Sequence, residues 1–125
     1  MSASTPEAVH DVLADAFRRG DLDAYIALHE DDAVLVMPPD GDVVRGREDI
    51  RSAAAPMLAS APHLSSVVHR KLETGGLALT QARWEFDGTA PDGSPLRLSG
   101  RGIIVSRRRP DGTWGIVLDD PLSAA

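Results

Sequence analysis

The chain contains no cysteine. That excludes a disulfide framework, a thiolate zinc site and a cysteine nucleophile. It has no run of about 18 apolar residues, so no segment predicts a membrane-spanning helix. Positive charge is in short supply: 13 Lys and Arg face 19 Asp and Glu, a net charge of −6. This balance argues against nucleic acid or an anionic membrane as partner. Residues Met1–Pro6 lack the charged and apolar regions of a signal peptide, and a cytoplasmic location is expected. No histidine spacing reads as a metal site, and no serine sits in a nucleophile elbow. Gly75-Gly76 is a turn with no helix after it, so it is not a phosphate loop, and no cofactor is expected. What remains is 125 residues, 42% hydrophobic, read as one domain over 1–125. A chain of this length buries roughly two-thirds of its unfolded surface, enough for a core with a pocket inside it.

The first half reads as helices. Thr5 and Pro6 form an N-cap and first helical position, and Val9, Val12, Leu13, Ala16 and Phe17 repeat as one apolar stripe. Gly20 ends that helix and Asp21 caps the next, whose apolar face holds Leu22, Tyr25, Ile26 and His29. Glu30-Asp31-Asp32 reads as a solvated turn before a short strand, Ala33–Met37, which Pro38-Pro39-Asp40-Gly41 stops. A third helix begins near Gly46, and Pro56 should kink or end it. The second half reads as strands. Leu64–Thr74, Leu77–Thr89, Leu96–Arg107 and Thr113–Asp119 are separated by Gly75-Gly76, Ala90-Pro91-Asp92-Gly93 and Pro110-Asp111-Gly112. Helices first and strands later predict an α+β fold with the helices on one face of a four-stranded antiparallel meander. Strands this long twist and curl strongly, leaving a conical cavity under the helices.

The runs Gly20-Asp21-Leu22-Asp23-Ala24, Leu28-His29-Glu30-Asp31-Asp32-Ala33 and Gly46-Arg47-Glu48-Asp49-Ile50 come in a recognisable order. So do Arg107-Arg108-Arg109-Pro110-Asp111-Gly112-Thr113-Trp114 and Leu118-Asp119-Asp120-Pro121. Their order and spacing resemble the SnoaL-like, ketosteroid-isomerase-like branch of the nuclear transport factor 2-like superfamily, over nearly the whole chain. The resemblance implies a cone-shaped α+β barrel, a homodimer and a ligand pocket at the open end. It leaves the chemistry open, since members include isomerases, cyclases, hydrolases, dehydratases and binding modules. By that resemblance, the steroid isomerases' aspartate base falls at Met37, their oxyanion tyrosine at Leu13 and their second oxyanion donor near Ile103 or Ile104. None of these side chains can take a proton or stabilise an enolate, so steroid isomerase chemistry is not expected.

A second resemblance, to limonene epoxide hydrolase, follows the strand residues Arg83-Trp84-Glu85 and the strand-end Asp119. It implies that one carboxylate activates water, the other protonates the leaving oxygen, and Arg83 holds one of them ionised. Two facings of that strand are open. Either Arg83 and Glu85 look into the cone, or Trp84 and Phe86 do and the charged pair lies on the convex face. Asp119 follows the apolar run Ile116-Val117-Leu118, where an unpaired carboxyl is costly to bury. It either faces the pocket or caps the Asp120-Pro121 turn. His10 and His69 are expected at the surface or partly covered, and Arg107-Arg108-Arg109 at a solvated hairpin tip. Leu13, Phe17, His29, Met37 and Trp84 are the expected pocket lining. The expected ligand is a small hydrophobic molecule. Asp119, Arg83 and Glu85 are the candidate catalytic residues of a cofactor-free acid–base enzyme of isomerase, cyclase or epoxide-hydrolase type. The alternative is a non-catalytic ligand-binding or dimerisation module.

Overall fold

A computed structural model describes residues 2–123. Helix α1 (Pro6–Arg19) opens on Thr5, whose Oγ1 accepts from the Ala8 amide at 3.1 Å, and closes on Gly20 in the left-handed conformation (φ 62°). Asp21 then caps α2 (Leu22–Ala27) by accepting from the Ala24 amide at 3.0 Å. Two caps in succession turn the chain back on itself and bring both apolar faces over the sheet. Helix α3 (Arg47–Leu58) begins after Gly46 and ends two residues beyond Pro56, whose ring removes one donor from the last turn. No described helix is long and apolar enough to cross a membrane.

The strands are β1 (His29–Met37), β2 (Asp42–Arg45), β3 (His63–Thr74), β4 (Leu77–Thr89), β5 (Pro95–Arg108) and β6 (Trp114–Asp120). They form one sheet in the order β2-β1-β6-β5-β4-β3. The expected meander is β3 to β6. Beyond it the sheet has six strands rather than four and is mixed, because β1 joins the free edge of β6 in parallel and β2 folds back on β1. Glu30-Asp31-Asp32 is accordingly strand, not turn, and His29 is the first residue of β1 rather than the last of a helix.

The concave face carries the core. Val9, Val12, Leu13, Ala16 and Phe17 of α1 are buried, with Tyr25 and Ile26 of α2 and Ile50, Ala54 and Leu58 of α3. Arg109 is not a solvated tip. Its Nε donates to Glu30 Oε2 at 2.8 Å, and its guanidinium donates to the Ala27 and His29 carbonyls at 3.0 and 3.3 Å. This clasp ties the β5–β6 turn to the start of β1.

Candidate functional site

The curl of the sheet under α1 leaves a cavity of about 80 Å³. Buried Leu13, Phe17, Tyr25, Leu35, Phe86 and Ile104 form its depth. Half-buried Met37, Met57, Leu64 and Trp84 also line it. Phe17 stands edge-on to both Tyr25 and Phe86, with ring centroids 5.4 and 6.0 Å apart. The two methionines are unbranched, with side chains that adapt readily to the shape of the space.

Asp119 is the carboxyl in this apolar chamber. Its register partners are Leu35 on β1 and Ile104 on β5, both inward-facing, and it is itself buried. Among the described residues, no group donates a hydrogen bond to its carboxyl. Burial, with a smaller contribution from the neighbouring Asp120 charge, pushes its pKa up to about 7. Tyr25 shares the cavity, and its phenol is driven far up, first by burial and then by the Asp119 charge. The chain after Asp119 is pinned where Trp84 Nε1 donates to the Pro121 carbonyl at 2.8 Å. Gly102 permits that crossing, since a Cβ there would lie 2.5 Å from Pro121 Cα and 2.6 Å from the Asp120 carbonyl.

Strand alternation decides the β4 question. Ala78, Thr80, Ala82 and Phe86 are buried with Trp84 half-buried on the same face, while Arg83 and Glu85 are exposed on the convex face. The structure therefore does not bring Arg83 and Glu85 to Asp119. The physical reason is that the two facings are mutually exclusive, and burying an indole and a phenyl ring is favourable where burying two charges is costly. Leu13, Phe17, Met37 and Trp84 do line the cavity. His29 does not, because it lies behind Tyr25, the rings 4.6 Å apart. Its Nδ1 donates to the Tyr25 carbonyl at 2.8 Å, its Nε2 is buried with no partner among the described residues, and burial brings its pKa down to about 4.

Three polar lining groups escaped the sequence reading. Tyr25 was visible only as an apolar-face residue. His10 is not at the surface but 4% exposed. It precedes Leu13 by three positions and Phe17 by seven, so helical spacing alone places it on the pocket face. Ser66 follows Leu64 by two on β3 and pairs with Trp84, so strand alternation places it inward. Among the described residues no three metal-ligating side chains converge.

The SnoaL-like domain family matches residues 9–114. No curated protein matches the chain significantly. Solved structures similar to it include a ketosteroid isomerase-like protein from Erwinia carotovora atroseptica, 20% identical, TM-score 0.76, covering 90% of this chain and 88% of that one. Another is a protein from Streptomyces avermitilis provisionally named a dehydratase of the NTF2-like family, 19% identical, TM-score 0.74, covering 94% of both chains. A third, from Thiobacillus denitrificans, is provisionally named a calcium/calmodulin-dependent protein kinase type II association domain. It is 22% identical, with TM-score 0.76, covering 98% of this chain and 99% of that one. At these identities the likeness concerns the fold.

Proposed function

We infer that this chain, which belongs to the SnoaL-like domain family, is a cofactor-free acid–base enzyme that moves a proton on a small apolar substrate through Asp119. One observation carries the reading: a buried carboxyl that has no hydrogen-bond partner among the described residues faces a largely apolar cavity, its pKa pushed up to about 7. Such a group is divided between acid and base at neutral pH and can both take a proton and return it. With Arg83 and Glu85 on the other face, the two-carboxylate epoxide-hydrolase scheme lacks its parts, and a single-carboxyl isomerase or cyclase fits better. Steroid isomerase chemistry stays disfavoured, because Leu13, Met37 and Ile103 or Ile104, at the positions of that enzyme's base and donors, carry no group that takes a proton or donates to an oxyanion.

A probe reaction tests this. In 5-nitrobenzisoxazole a base removes the ring C–H proton, the N–O bond breaks, and a coloured cyanophenolate forms. The protein should accelerate this reaction with a rate rising through pH about 7. Asp119→Asn should lower the rate by about a hundredfold, the low end for general-base catalysis. Equal rates for the two proteins would remove the catalytic reading and leave a ligand-binding module.

A homodimer through the convex face belongs to the same proposal. Leu72, Leu79, Val105, Leu118 and Val34 are successive cross-strand partners on that face, forming an apolar row across five strands. Leu72 is 52% exposed, and Val67, five residues back along β3, is 66% exposed in the single chain. An apolar row of this kind supports an interaction surface on this face. Sedimentation should give a dimer, and Val105→Glu a folded monomer. A wild-type monomer throughout the concentration series would overturn it.

A further inference from the structure

Ser66 and His10 line the cavity, yet the proton transfer assigned to Asp119 does not use them. Both ring nitrogens of His10 are engaged. Nδ1 is 2.9 Å from Ser66 Oγ and Nε2 is 2.7 Å from Thr80 Oγ1. The Thr80 hydroxyl donates to the Ile104 carbonyl at 3.3 Å. A hydroxyl has one proton to give. With that proton on Ile104, Thr80 accepts from His10 Nε2–H. Burial favours the neutral imidazole, which carries one N–H only. Nδ1 is then bare, and the Ser66 hydroxyl donates to it. The reverse tautomer forfeits the Ile104 bond, so the chain Ser66 to His10 to Thr80 to Ile104 is the one that uses every donor.

The consequence falls on the cavity. The Ser66 proton is committed to His10, which leaves the oxygen lone pairs as the polar feature it can offer a guest. Ser66 is half-buried, with Trp84 as its register partner, so this acceptor sits in an apolar wall. Strand β3 lies three places from β6 in the sheet, roughly 14 Å along its surface. Ser66 is thus on a different wall of the cone from Asp119. Resting on the reading of the cavity as a ligand site, we propose that Ser66, its proton held by His10, is a second ligand-anchoring group. It selects small apolar molecules that carry a hydrogen-bond donor, alcohols or phenols, over their O-methylated counterparts.

Phenol and anisole differ in that donor and little else. Both are titrated calorimetrically into the wild-type protein and into Ser66→Ala. The preference for phenol over anisole should shrink in the variant by roughly three- to tenfold, the worth of one hydrogen bond. An unchanged preference, with both ligands bound, overturns the role of Ser66 and leaves the cavity as a ligand site. Failure of the wild-type protein to bind either ligand removes the ligand-site reading and this proposal with it. A long-range proton–nitrogen spectrum of wild-type His10 tests the inference without a variant or a ligand. A neutral ring protonated on Nε2 is expected, and a ring protonated on Nδ1 overturns the assignment.

Discussion

Replacing Asp119 with asparagine should make the protein more stable at pH 8, by as much as about 4 kcal/mol. The folded carboxyl has its pKa raised from 3.8 to about 7. It therefore holds its proton more tightly in the folded chain than in the unfolded one. Below pH about 4 both states are protonated and the residue costs nothing. As pH rises toward 7 the unfolded chain ionises freely while the folded one resists, so stability falls, and above 7 the loss is complete. His10 and His29 act with the opposite sign. Their pKa values drop from 6.5 to about 4 on folding, so they remove stability as pH falls through that window. Between pH about 4 and 6.5 the two histidines outweigh the one carboxyl by a single proton. Wild-type stability should therefore rise by about 1.4 kcal/mol per pH unit there and peak near pH 6.5. In Asp119→Asn the rise should steepen to about twice that slope, and the decline above the peak should vanish. Exposed carboxylates such as Asp15, held low chiefly by its hydrogen bond to Arg19, act alike in both proteins and drop out of the difference. Urea unfolding at a series of pH values measures it. A wild-type-minus-variant difference that does not change with pH would contradict the assignment.

Phe86→Ala should cost about 3–5 kcal/mol, the range for removing a buried aromatic ring. Phe86 is 4% exposed. It stacks edge-on against Phe17, which in turn meets Tyr25, so one ring links β4, α1 and α2. Its far edge leaves Gly88 no room for a side chain, since a Cβ there would meet Phe86 Cε1 at 2.8 Å. The ring is also cavity wall. The same truncation at Val67 on the convex face, 66% exposed, should change stability by less than about 0.5 kcal/mol in the monomer. Chemical denaturation compares the two. A cost under about 1 kcal/mol at Phe86 would mean that the neighbouring methionines and leucines collapse into the space.

Local chemistry made much of the fold legible. Thr5, Gly20 and Asp21 each do at a helix end what their side chain or backbone favours. Gly75, Gly76, Gly93 and Gly112 all adopt positive φ in the three hairpin turns. The parallel pairing of β1 with β6 was not legible, because it joins segments some eighty residues apart and leaves no local signature. Strand β2, four residues with no fully buried position, shows no alternation to detect. At the site, Asp119 stood out because a carboxyl ending an apolar run needs a reason to be there. Arg83 and Glu85 alternate with Trp84 and Phe86, so either face of β4 offered a coherent set, and burial energetics decided between them. His10 and Ser66 were hidden because their roles depend on each other across 56 residues.

The measurement that bears most directly on the account is the titration of the Asp119 carboxyl carbon by NMR, with the resonance assigned from Asp119→Asn. Burial in the apolar chamber predicts a midpoint of about 7. A midpoint near the ordinary value of about 4 would show a solvated or hydrogen-bonded carboxylate. Asp119 would then be no proton carrier at neutral pH, and the catalytic reading would fall with it.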